Sequence, residues 1–154
     1  MRITLLPGLL AAALLFAAGP ALAGRLLPPA RLEAALTVWS GGKIVLKRFC
    51  AADRCAVCRD LVASRRCGDP KLRIKYIESD TFLPLSRVRS ITIDQKGAQN
   101  AEFFPAWIVL RDGKRFRAEV MVRSQVLPLS FCGENDLETI SCLPAVKVKS
   151  VEFK

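Results

Sequence analysis

The amino-acid sequence predicts a mainly β protein: two tandem β-modules forming a sandwich or incomplete barrel, with one short cysteine-bearing helix in the first module. Three observations predict this. Residues 72–76, 88–93 and 146–151 largely alternate apolar with polar side chains, the two-residue period of a half-buried strand. Glycine turns punctuate the strands at Ser40-Gly41-Gly42-Lys43 and Arg111-Asp112-Gly113-Lys114, where a tight hairpin demands positive φ. Finally, one phrase occurs twice, as FLPLSRVRSITI at 82–93 and as CLPAVKVKSVEF at 142–153.

Residues 1–23 combine a basic start at Arg2, an apolar run and the small triplet Ala21-Leu22-Ala23 before Gly24, the pattern of a secretory signal cut after Ala23. Pro7 and Gly19-Pro20 leave the run short of the ~20 residues a membrane span needs. Residues 24–33, with Pro28-Pro29, read as a flexible lead-in. The first module follows at 34–94, a polar linker at 95–104 and the second module at 105–154, giving nine or so strands in all. Within the repeated phrase Leu83/Leu143, Pro84/Pro144, Val88/Val148 and Ser90/Ser150 are identical. Upstream, the turn at Gly42 answers Gly113, and Cys67-Gly68-Asp69 answers Cys132-Gly133-Glu134. The first module is longer, and its extra residues fall mostly around Cys50, Cys55 and Cys58. There the periodicity changes: Cys55, Cys58 and Val62 are helix-spaced, Asp53 is an N-cap candidate and Gly68 a stop, which predicts a short helix over 53–66.

Six cysteines in an exported chain read first as a disulfide framework, because the oxidising exterior preserves such bonds. Cys132 and Cys142 flank a turn-rich segment and can face each other across a hairpin. The expected pairing is Cys132 with Cys142, Cys50 with Cys67, and Cys55 with Cys58, one of the fifteen that six cysteines allow. Cys50, Cys55 and Cys58 also have the spacing of the first three ligands of a plant-type [2Fe–2S] site, but Cys67 follows too soon to be that pattern's fourth. No metal and no cofactor is expected.

A redox reading competes. Cys55-Ala56-Val57-Cys58 at a helix start, with Arg54 and Arg59 beside it, could ionise a thiol. With KIVLKRF before the motif, KLRIKYIESD after it and the later FFPAWIVLRDGK, about seventy residues resemble the thioredoxin and glutaredoxin family. That resemblance implies a thiol–disulfide oxidoreductase with Cys55 as nucleophile and Cys58 as resolving thiol. It departs between Asp80 and Phe104, where that family's fold has a helix and this chain offers Leu83-Pro84 and an alternating stretch.

The formal charge is +10, of which residues 1–23 hold only Arg2. Arg73/Lys75, Arg87/Arg89, Arg115/Arg117 and Lys147/Lys149 recur at spacing two, which places each pair on one face of its strand. Should those strands share a face, they form a cationic surface for an anionic envelope component or another exported protein. Nucleic acid is disfavoured, since few aromatics interleave the cations. Trp39 and Trp107 read as core. The chain has no histidine, so Ser-His-Asp and Cys-His arrangements are excluded. The leading expectation is an exported, periplasmic or secreted, non-enzymatic β-repeat protein of the bacterial cell envelope, disulfide-stapled and basic on its surface; the alternative is the oxidoreductase.

Overall fold

The computed structural model describes residues 32–52, 55–64, 67–94, 96–97, 101–124 and 129–154, with backbone alone at 55–57. The segment expected to be a signal, 1–23, and most of the expected lead-in lie outside the described residues. The chain runs β1 (Ala34–Val38), β2 (Lys43–Ala52), α1 (Cys55–Ala63), β3 (Lys71–Tyr76), β4 (Ser79–Pro84), a 3-10 turn (Leu85–Arg87), β5 (Val88–Ile93), β6 (Phe103–Leu110), β7 (Arg115–Met121), β8 (Ser130–Glu134), β9 (Ile140–Pro144), a second 3-10 turn (Ala145–Lys147) and β10 (Val148–Phe153). The ten strands make one antiparallel sheet in the order β4-β3-β7-β6-β5-β10-β1-β2-β8-β9, curled into a half-barrel.

Each Leu-Pro of the repeated phrase ends an edge strand. Proline offers no N–H to a neighbouring strand, and its fixed φ, −63° at Pro84 and −60° at Pro144, leads into a single 3-10 turn. The turn carries the chain from the outermost strand to the centre of the sheet, where β5 and β10 pair with Ile91 opposite Val151.

The strand order is unchanged, read backwards, when β1–β5 are exchanged for β6–β10. Matching hydrogen bonds recur in the two halves: Val38 N–H donates to Gly42 O at 2.9 Å and Leu110 N–H to Lys114 O at 2.9 Å, around Gly41 (φ +92°) and Gly113 (φ +89°). The glycine corresponding to Gly113 is therefore Gly41, not Gly42. The hairpins correspond as well, Arg73 opposite Phe82 in β3–β4 standing where Cys132 is opposite Cys142 in β8–β9. Cys132 thus answers Arg73 rather than Cys67, whose Cys-Gly echo is coincidental. The halves are also interleaved rather than set side by side. Hairpin β3–β4 docks on β7 of the second half, and β8–β9 docks on β2 of the first.

The core fills the inner face. Leu36, Leu46, Phe49, Leu85, Val88, Phe104, Ile108 and Val148 are buried to within 2 % of full exclusion from solvent. Burying a side chain of this size contributes ~1.5–3 kcal/mol, so this layer dominates the stability. Phe49 packs against Phe131 and Phe153 with ring centroids 5.3 and 5.5 Å apart. The expected lead-in and linker both contribute: Leu32 accepts a hydrogen bond from Phe49 N–H at 2.8 Å, and Phe104 is 1 % exposed because β6 starts at Phe103.

Strand β2 carries a bulge. Lys47 faces Glu134 and Cys50 faces Cys132, so β2 spends one more residue than β8 in the interval, with Arg48 at φ 52°. The bulge leaves Phe49 in the core and Cys50 on the outer face. Helix α1, shorter than expected, covers the outer face of β2, β8 and β9. Its proposed cap, Asp53, lies outside the described residues.

Candidate functional site

Strands β5, β6 and β7 bring one group of cations together on the outer face. Arg115 and Arg117 are exposed on β7, opposite Val109 and Trp107 of β6. Arg89 is exposed on β5, at the irregularity between the Val88–Leu110 and Ser90–Val109 pairs. Arg87 ends the first 3-10 turn, and its carbonyl accepts Arg111 N–H at 2.9 Å, which draws the β6–β7 turn with Arg111 and Lys114 against it. Arg111 is held in place by its Nε–H, which donates to Ser86 O at 2.8 Å, while Ser86 donates through N–H and Oγ–H to the Asp69 carboxylate at 3.0 and 2.5 Å.

At the middle of the group, the Arg115 guanidinium lies over the Trp107 ring, 4.3 Å from its centroid. Such a stack is worth ~0.5–1 kcal/mol at an exposed site and holds the cation in place. Three carboxylates offset the charge: Asp69 stands at Ser86 beside Arg87, Asp94 pairs with Arg117 at 2.8 Å, and Asp112 accepts Lys114 N–H at 2.9 Å. Six cations, Arg87, Arg89, Arg111, Lys114, Arg115 and Arg117, thus face three acids.

The other predicted cations lie elsewhere. Arg73 and Lys75 share the outer face of β3, 5.9 and 4.2 Å from the Phe103 centroid. Arg73 is ion-paired with Asp80, and Lys75 stands between Asp80 of β4 and Glu119 of β7. Their charge is spent locally. Lys147 ends the second 3-10 turn and Lys149 lies 6.0 Å from the Trp39 centroid. Because β5 and β10 are antiparallel, these lysines sit at the opposite end of the sheet from Arg87 and Arg89. The four pairs therefore do not form a single surface. Spacing two fails for Arg87/Arg89 and Lys147/Lys149 because the first residue of each pair is in a 3-10 turn, not a strand. Trp107 is half-buried beneath Arg115 rather than core, whereas Trp39, also half-buried, packs against the inner core with Lys149 at its ring. With Phe103 they supply the interleaved aromatics that the sequence was expected to lack. Arg111 and Lys114 were missed as site residues; their only signal was the turn that carries them.

The cysteines collect under α1. Cys132 and Cys142 are joined by a disulfide, with Cα atoms 4.1 Å apart. Cys50 faces Cys132 across β2–β8, α1 lowers Cys58 and Val62 onto the same patch, and Cys67 arrives just before β3. With Leu61, Ala52 and Ile140 around them, these side chains make a second apolar core on the outer face, separate from the first. Cys58 Sγ lies 3.8 Å from Ser130 O.

No protein-family model matches the chain, and no curated protein matches it. The chemistry of the cluster has to be read from its own geometry. Cys50, Cys58 and Cys67 are free, buried thiols of one cluster, with the expected Cys50–Cys67 bond not formed. Cys55 is the first residue of α1 and its side chain lies outside the described residues, as does any Cys55–Cys58 pairing. The adjacent Cys58 thiol, and then burial, push Cys50 up to about 12 against the opposing pull of Cys67. Cys50 and burial raise Cys67 as well, against the weaker pull of Arg48. At neutral pH both stay protonated, whereas an attacking thiol must be thiolate. Nor is the fold the one implied by the thioredoxin resemblance. Between Asp80 and Phe104 the described chain has a 3-10 turn and β5, with no second helix.

Proposed function

We propose that this chain is an exported, non-enzymatic β-repeat protein, a binding module of the bacterial cell envelope that holds an anionic ligand on the outer face of β5–β6–β7. One observation carries the reading: Arg115 stacked on Trp107, with Arg89 and Arg117 on the neighbouring positions and Arg87 and Arg111 at the rim. Six cations against three acids leave a local excess of positive charge, and the half-buried indole gives it a rigid floor. An anion there replaces the screening salt, so affinity falls as ionic strength shortens the Debye length below ~8 Å. In this reading the two halves are copies of one hairpin unit, and the cysteine core staples the first half's insertion to the sheet.

Net charge alone retains a basic protein on an anionic matrix, so the test uses two variants of equal charge. Arg87→Glu with Arg89→Glu changes the proposed face; Lys147→Glu with Lys149→Glu changes the corresponding residues at the far end. On immobilised dextran sulfate the first variant is expected to lose about tenfold in affinity, equivalent to ~1.4 kcal/mol, and the second to stay close to the parent. Equal losses would assign the retention to overall charge and remove the site.

A further inference from the structure

The two halves provide an internal control for the cysteine cluster. Where β8–β9 has Cys132 opposite Cys142, β3–β4 has Arg73 opposite Phe82. Where β2 has Cys50 beside that pair, β7 has Met121, one residue beyond the Val120–Ile74 pair. Among the described residues the β3–β4 hairpin holds no cysteine and no helix covers it, and Phe82 is 65 % exposed there. Cys58 lies on the inserted helix and Cys67 follows it, and Cys50, Cys132 and Cys142 replace Met121, Arg73 and Phe82 on the sheet beneath it, which places the cysteines' role in holding α1 to the sheet.

The fixed pair, Cys132–Cys142, spans only β8 and β9 and does not reach α1. That leaves Cys50. Its thiol shares one buried cluster with two others, Cys58 on the buried side of α1 and Cys67 just before β3. All three are excluded from solvent, at 3 %, 0 % and 5 % exposure. A sulfur can bond to only one of two neighbours.

We propose that Cys50 is a branched disulfide site: it bonds either to Cys58, which ties α1 covalently to β2, or to Cys67, which ties down the approach to β3 and leaves α1 held by packing alone. The first bond forms when a disulfide oxidant, such as oxidised glutathione, takes two electrons and two protons from the pair and is reduced to two thiols. The states then interconvert without further oxidant. The Cys67 thiolate attacks the Cys50 sulfur of Cys50–Cys58, the Cys50–Cys67 bond forms, Cys58 leaves as thiolate, and it takes up the proton that Cys67 gave up. The attacking and leaving sulfurs are both buried, so exchange is slow unless α1 lifts. The cluster therefore stores whichever linkage was made last.

The inference rests on the proposed role of the cysteines as staples, not on anion binding. Trypsin suits the test because Arg48, Arg54, Arg59, Arg66 and Lys71 separate peptides 49–54, 55–59 and 67–71, each with one of the three cysteines once Cys55 is replaced. The Cys55→Ser protein is equilibrated with oxidised and reduced glutathione, quenched in acid with N-ethylmaleimide and mapped by mass spectrometry. Two crosslinked species are expected, 49–54 with 55–59 and 49–54 with 67–71. Adding Cys67→Ser should abolish only the second, and adding Cys58→Ser only the first. Cys50 recovered with a single partner, joined to Cys132 or Cys142, or alkylated while Cys132–Cys142 is intact would overturn the branch. Dextran sulfate binding, measured on the same samples, reports separately on the proposed function.

Discussion

Gly133 shows how a single residue limits what this sheet tolerates. An added Cβ would lie 2.7 Å from Leu46 Cβ and 2.8 Å from Lys47 O, because the bulge at Arg48 presses β2 backbone against β8. A carbonyl oxygen in a strand cannot swing away as the end of a flexible side chain can. Gly133→Ala should therefore cost about 1–3 kcal/mol, the usual cost of overpacking, measured by urea unfolding. The same bulge supports both cores, with Phe49 in one and Cys50 in the other, so near-edge amides around Cys50 should lose protection first in that variant. Unchanged stability would mean that β2 is free to move off β8. Gly133 stood in the sequence only as half of a Cys-Gly echo. Its real constraint depends on a neighbour 86 positions away, Lys47, which no local pattern encodes.

Elements explain which parts of the sequence were readable. Strands with a strict two-residue period were, as in β6, where Phe104, Ala106, Ile108 and Leu110 are buried and Phe103, Pro105, Trp107 and Val109 are half-exposed. Helix α1 also announced itself through the spacing of Cys58 and Val62. Less legible were the interruptions: a 3-10 turn and a bulge each shift the face that spacing two assigns, and both occur within the Arg87–Arg89 and Lys147–Lys149 stretches. The β3–β4 hairpin was equally unannounced. Its tip, Ile77-Glu78, has φ of 48° and 60°, both left-handed, yet contains neither glycine nor asparagine. Such residues cost ~1–2 kcal/mol each in that region, and a β-branched isoleucine is among the least suited. Ile77 is 78 % exposed and gives up little packing if replaced. Ile77→Asn with Glu78→Gly should accordingly stabilise the fold by ~1 kcal/mol, seen as a rise in Tm, since Asn-Gly is preferred in such two-residue turns. A fall in Tm would show that the tip packs on something that compensates for its strain.

For the molecule as a whole, interleaving matters most. Each half lends a hairpin to the other, so neither has a complete sheet alone, and the two should unfold in one transition despite their separate stretches of sequence. Interleaving also sets where the charge goes: β5 and β10 run antiparallel through the centre, sending the two matching basic segments to opposite ends, and only the Arg87 end finds Arg111, Arg115 and Arg117 around a tryptophan. Among the described residues the far end has Lys147, Lys149 and Trp39 but no arginine cluster. The molecule thus contains both a proposed site and its own near-symmetric comparison. Amide hydrogen exchange with and without dextran sulfate reads both ends at once and tests the account most directly. Protection is predicted at 87–89 and 111–117 with little change at 147–149; equal protection at the two ends, or protection confined to 147–149, would contradict it.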